Sequence, residues 1–394
     1  MLFQRRNLAI DMLRGLTMLL MVFVNDLWTV EDVPHILEHF DTYEDGMGLS
    51  DIVFPMFLFA MGMSIPYAIE NRYLKGFSGE STLGHILSRT LALLLMGAFI
   101  VNTEGGFDST LGYSRGFFRI LMVIGFFLIW NIWPKGLRAK PWLQALGIAI
   151  LVFLAFTFRT PGGDFFSAGW WGILGLIGWA YVFSAVTYLL CRGHIYRIAI
   201  VWAAIAILNM LTTGMRDGSA IIHGRNFIGD FAGILHLGNG SNTIMAVGGM
   251  LLSIMENKIA DQKASRRIVY AAVAAIFLAV AGAVTNHWWI ISKNIGTLPW
   301  CLYVSSLSVA VYTLLRISEA HGKTGWFRFI SPSGTATLTV YMMPYLLYSI
   351  WGYLNIPHPE WLTGWVGLIK CALFSLLCTG ITALIGRIGL KLKI

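Results

Sequence analysis

Residues 6–26 read RNLAIDMLRGLTMLLMVFVND. A basic start followed by an apolar run copies the outline of a signal peptide. This run, however, contains Asp11 and Arg14, and no small-residue cleavage site precedes the acidic loop that follows. The stretch is therefore read as a retained first helix, since a membrane span needs roughly 17–25 mostly apolar residues.

Eleven further apolar runs lie near residues 52–70, 84–102, 117–133, 142–158, 170–190, 196–212, 242–256, 268–285, 297–316, 335–353 and 363–386. Lipid offers no partner to free backbone groups, and these runs are too long and continuous for barrel strands, so each must be helical. The run at 242–256 is the shortest, and one span could be re-entrant. The composition agrees: 57% of the residues are hydrophobic and 12% are charged. A soluble chain carries about a quarter charged residues. No polar stretch is long enough for a separate soluble domain. The expected fold class is all-α, a polytopic transmembrane helix bundle of about 11–12 spans, forming a single domain over residues 1–394.

Lys and Arg are biased toward the cytoplasmic side of membrane proteins. With Met1 inside, the cytoplasmic segments carry Arg5 and Arg6, then Arg72 and Lys75, then Lys135, Arg138 and Lys140. They continue with Arg192 and Arg197, with Lys258, Lys263, Arg266 and Arg267, with Arg316, Lys323 and Arg328, and with Arg387, Lys391 and Lys393. The opposite loops hold only Arg115, Arg159, Arg216, Arg225 and Lys293, with Arg119 just inside a span. The alternation supports an even number of spans with both termini cytoplasmic.

The net charge of +8 does not indicate a nucleic-acid partner, because the basic residues are dispersed among short loops without interleaved aromatics. Cys191, Cys301, Cys371 and Cys378 lie in or beside apolar runs and lack metal-ligand spacing, so they read as buried hydrophobes, and no metal site is expected. No nucleotide-binding glycine motif, HExxH or GxSxG occurs.

Polar groups at membrane depth are functional candidates by default. Asp11 and Arg14 are three apart and can form an ion pair that locks helix packing. Asn25, at the outer end of the first helix, can hydrogen-bond between helices or donate to a developing oxyanion. The first outer loop carries eight carboxylates between Asp26 and Asp51, no Lys or Arg, and two histidines, His35 and His39. An imidazole can take and return a proton near neutrality or hold an acyl group, and Asp45 or Asp51 could fix its tautomer. A second outer loop, from about residue 213 to 241, holds His223, Arg225, Asp230 and His236. Arg119, with His287, Lys293 and Asn294 of NHWWIISKN, puts cations and amides near the same face, where they could bind a carboxylate, a carbonyl or sugar hydroxyls. Trp288 and Trp289 suit either the interfacial belt or a sugar platform. Lys370, within the last span, snorkels or pairs.

The first helix, followed by a His-bearing loop ending DGMGLSDIVFPMFLFAMGMSIP, resembles the start of the heparan-alpha-glucosaminide N-acetyltransferase family and its bacterial relatives. LGYSRGFFRILMVIG, LGNGSNTIMAVGGML, NHWWIISKNIGTLPW and ISPSGTATLTVYMMP resemble later family segments more loosely. In two places the chain departs from the family. His236, Gly238 and Asn239 stand where the glycine-rich segment has an acidic residue, and Gly334 and Thr335 stand where a helix start has Asn.

The resemblance implies transfer of acetyl from cytoplasmic acetyl-CoA, a co-substrate, to an amino sugar or glycan across the membrane. The family's loop His matches His39, with two extra residues before VFP, and its helix-end Asn matches Asn25. His39 is then the base or transient acetyl carrier, Asn25 supports the carbonyl oxygen, and Asp51 or Asp45 orients the His. Arg119, Lys293, Asn294 and His287 are the expected substrate- or cofactor-binding residues. The expected setting is the lipid bilayer of a bacterial inner membrane, multi-pass; a homodimer is left open. The rival reading is a permease for sugars or small anions, which would need polar groups paired near mid-membrane across two halves of the chain.

Overall fold

The computed structural model of the chain describes residues 7–222, 227–356 and 359–394. Arg5, Arg6, His223 and Arg225 lie outside the described residues. The helices are α1 Leu8–Asp26, α2 Leu49–Leu74, α3 Gly79–Val101, α4 Arg115–Trp130, α5 Lys140–Thr157, α6 Gly172–Cys191 and α7 Ile195–Thr212. They continue as α8 Phe227–Ile234, α9 Ser241–Lys258, α10 Ala264–Thr285, α11 Leu298–Ala320, α12 Phe327–Thr335, α13 Thr337–Tyr353 and α14 Gly364–Arg387. Setting aside the short α8 and α12, each apolar run of the sequence has become one helix. The strands, β1 Asp108–Ser109 and β2 Phe158–Arg159, form a two-residue antiparallel ribbon between loops.

Among the described residues, nine helices are long and apolar enough to cross a bilayer: α1, α2, α3, α5, α6, α7, α10, α11 and α14. The chain is a multi-pass membrane protein. The other three expected spans have physical reasons for falling short. α4 has 16 residues, or about 24 Å of helix. α13 has 17 and carries Pro344 in its interior. α9 ends on Glu256, Asn257 and Lys258 and does not need to face lipid: Ile244, Met245, Ala246 and Val247 are fully buried. It is enclosed by α2, α6, α7 and α11.

Helix starts follow local chemistry. The side chains of Asn7, Ser78 and Ser114 each accept a backbone N–H of the first turn, opening α1, α3 and α4. Close helix contacts use glycine, as expected where helices associate without water to drive them together. A Cβ at Gly62 would overlap the Ala246 carbonyl and one at Gly249 would overlap that of Phe59, so α2 and α9 touch backbone to backbone. Gly97 gives α3 the same approach to α6. Only 17% of the apolar stretch of α5 or α10 is covered by protein, which leaves their leucines and valines for lipid.

α12 breaks from α13 at Ala336 and docks on α1, where a Cβ at Gly334 would collide with the Asp11 carbonyl. Arg14 pairs with Asp11 at 3.2 Å and donates to the Gly334 carbonyl, so this charged pair fastens α12 to α1. Asn7 and Ile394 line one cavity, which puts the two ends of the described chain on the same face of the bundle.

Candidate functional site

On the opposite face, the first outer loop folds over the start of α2. Gly48 is the N-cap, and Asp51, three residues on, turns its Oδ2 back to accept the Gly48 and Phe40 backbone N–H groups, both at 3.0 Å. Its Oδ1 lies 2.6 Å from His39 Nδ1. Trp300, 2% exposed, donates its indole N–H to the Asp51 backbone carbonyl at 3.2 Å. Asp51 is thus fixed from three directions, and its side chain is 2% exposed against 52% for that of His39. A buried, immobilised carboxylate holding Nδ1–H leaves the far nitrogen of an accessible imidazole as the reactive one.

Lys293 completes the cluster. Its Nζ lies 3.1 Å from His39 Nδ1, 3.4 Å from Nε2 and 4.0 Å from Asp51 Oδ1. Burial lowers the Lys293 ammonium below its ordinary range, an effect the Asp51 charge opposes. The loop carrying Lys293, between α10 and α11, is laced to the first outer loop. Ser292 donates to the Thr42 carbonyl at 2.8 Å, Gly46 N–H to the Ile291 carbonyl at 3.0 Å, and Asn294 to the Phe40 carbonyl at 3.3 Å.

Asp45 belongs to this lacing and has no bond to His39: it accepts Ile291 N–H at 2.8 Å and pairs with Arg216 at 2.5 Å. His35 is occupied with Glu44, at 2.8 Å, and stacks on Phe40. His287 is exposed and makes an edge contact with Trp288, 5.1 Å between centroids.

Asn25 and Arg119 form a second group. Both line a cavity of about 370 Å³ with Glu104, Trp28, Ile173, Tyr341, Tyr345 and Tyr348. Arg119 donates to the Thr103 carbonyl at 2.9 Å, while its Nε is buried and lacks a hydrogen-bond partner. Behind the wall, the fully buried Asp26 accepts from Tyr348 at 2.5 Å and pairs with Lys370 at 2.8 Å. Lys370 therefore pairs rather than snorkels. No hydrogen bond or ion pair among the described residues joins Asn25 or Arg119 to His39.

A larger cavity, about 460 Å³, is lined by Asn7, Asn71, Arg89 and Lys393 among others. It follows α1 from Asn7 to Met21, or about 21 Å at the helical rise. Tyr341 lines both cavities, and the neighbouring pairs Met21–Val22 and Ile173–Leu174 contribute one residue to each. Trp300 and Glu104 escaped sequence reasoning, because an indole inside an apolar span and one carboxylate in a short loop carry no pattern.

Fold and composition define the chain as a multi-pass, all-α membrane protein, with a histidine–carboxylate pair at one end of the bundle and two cavities that share Tyr341 as a lining residue. Residues 6–189 match the family described as heparan-alpha-glucosaminide N-acetyltransferase, catalytic. It is 35% identical over 98 residues to the heparan-alpha-glucosaminide N-acetyltransferase of Mus musculus, across 24% of this chain and 14% of that protein. It is 33% identical over 98 residues to that of Homo sapiens, across 24% and 13%. The chain thus matches about a seventh of the length of these curated relatives.

Proposed function

We propose that the chain is a membrane acetyltransferase that moves acetyl from acetyl-CoA, entering from the cytoplasm, to an amino sugar or glycan on the periplasmic side of a bacterial inner membrane. The observation that carries the reading is the His39–Asp51 pair: a half-open imidazole on a buried carboxylate at 2.6 Å, with Lys293 beside the ring. Asp51 holds the imidazole in one tautomer, and His39 takes the acceptor's proton or carries the acetyl group. Asn25 donates to the carbonyl oxygen as charge develops on it.

The family match supports acetyl transfer, and the stacked cavities support a donor that enters by one face and reacts toward the other. Arg14, Arg89 and Lys393 stand along the larger cavity and suit the phosphates of a CoA ester. Lys293, Asn294 and His287 remain proposals for substrate or cofactor binding near the histidine. Detergent-purified protein, given radiolabelled acetyl-CoA and glucosamine, should form a labelled product that His39→Ala abolishes.

The stacked cavities also favour a second reading, a permease for sugars or small anions. Uptake of labelled sugar without chemical change would establish it, and a product heavier by an acetyl group would exclude it.

A further inference from the structure

The smaller cavity contains an unresolved charge arrangement. Glu104, in the loop after α3, and Arg119, on α4, both line it. No hydrogen bond or ion pair among the described residues engages the Glu104 carboxylate. The buried Nε of Arg119 is likewise unpartnered. Glu104 is exposed, yet the surrounding protein removes enough water to hold its carboxyl above the ordinary carboxylate range, while the Arg119 charge opposes the shift. A carboxylate and a guanidinium that share a cavity without satisfying each other leave desolvation uncompensated until a ligand bridges them.

The rest of the wall limits what that ligand is. Trp28, 75% exposed, lines the cavity edge-on to Tyr348, with 5.8 Å between centroids, and offers a flat apolar surface to a ring. The Tyr348 hydroxyl already donates to Asp26, so it can only accept from a ligand. Asn25 and Arg119, which line the cavity, supply N–H donors for hydroxyl oxygens. A neutral sugar would use the donors and the aromatic face but leave the Glu104 carboxylate without a hydrogen-bonded ion pair. A sugar carrying an ammonium group would satisfy both.

We infer that Glu104 is a specificity-determining residue that selects acceptors bearing a protonated amine, the sugar ring lying against Trp28 and its hydroxyls facing Arg119. The inference rests on reading this cavity as the acceptor chamber of the proposed acetyltransferase. The amine must afterwards lose a proton to attack, so Glu104 acts in binding and His39 in transfer.

The test is direct binding of glucosamine and of glucose to the purified full chain in nanodiscs, followed by tryptophan fluorescence or calorimetry, at a pH where the amine is protonated. Wild type should prefer glucosamine by about tenfold or more, the range of a charge-assisted contact. Glu104→Gln should erase that preference by weakening glucosamine alone, and Glu104→Asp should restore part of it. The inference is overturned if wild type binds glucosamine no better than glucose, or if Glu104→Gln binds it as wild type does. Acetyl transfer is assayed separately: preference without transfer would sink the enzyme reading alone, whereas transfer with a preference untouched by Glu104→Gln would sink this inference alone.

Discussion

Asp51 bonds His39 Nδ1 with one carboxylate oxygen, at 2.6 Å, and spends the other on two backbone N–H groups, one of which starts the helix that carries it. The same residue is therefore helix cap and histidine partner. A loop histidine acquires a fixed direction because the carboxylate facing it cannot swing.

Asp51→Asn should retain the cap in part but present an amide to Nδ1, which destabilises the tautomer that leaves Nε2 free. Transfer should fall by about a hundredfold, with the KM for acetyl-CoA little changed, in steady-state kinetics. Asp51→Ala should also lower thermal stability, by about 1–3 kcal/mol, because the Gly48 and Phe40 N–H groups lose their acceptor.

The Asp45–Arg216 pair is half-exposed, with side chains 32% and 43% accessible, so as an ion pair it contributes at most about 1 kcal/mol. Asp45 also holds Ile291 N–H, two residues from Lys293. Asp45→Ala should lower acetyl transfer several-fold while shifting the melting temperature only slightly. Activity equal to wild type would show that the lacing of the two loops does not position Lys293.

Gly249→Ala drives a methyl group into the Phe59 carbonyl at the α2–α9 contact. Two backbones must then separate in the middle of the bundle. The expected cost is about 1–3 kcal/mol, read as a lower melting temperature and weaker monodispersity on size exclusion. Gly380→Ala, at a position with nothing within reach of an added Cβ, serves as the control.

The Glu44 carboxylate, bonded to His35, holds its imidazole above the ordinary value of 6.5, and the same bond holds Glu44 below 4.5. A raised histidine stabilises fully below its unfolded value, and that contribution is lost as pH rises through the folded one. A lowered glutamate stabilises above its unfolded value and loses its contribution as pH falls through the folded one. The contact should therefore hold from somewhat below pH 4.5 to somewhat above pH 6.5. In an NMR titration His35 should titrate above 6.5, and Glu44→Gln should return it toward that value. His35→Ala should leave acetyl transfer nearly intact.

The sequence by itself determined the helices and the membrane, because both follow from local quantities. Runs such as 268–285 are too apolar for water and must satisfy their backbone internally, and twelve of them became the twelve long helices of the bundle. It also offered His39 and Asp51 as neighbours in one loop and one cap. It could not choose between Asp45 and Asp51, since both lie within reach of His39 along the chain. That was decided by the α10–α11 loop, whose Ile291 N–H draws Asp45 away and whose Lys293 arrives beside the imidazole from 254 residues downstream. The meeting of Asn25 and Arg119 with Glu104 in one cavity was likewise decided by how α1, α4 and α13 pack. Hydrophobic periodicity specifies that a helix forms and spans. Which of its polar residues face a common cavity depends on helix rotation and loop pairing, set by contacts such as Gly62 against Ala246 that have no local signature in the chain.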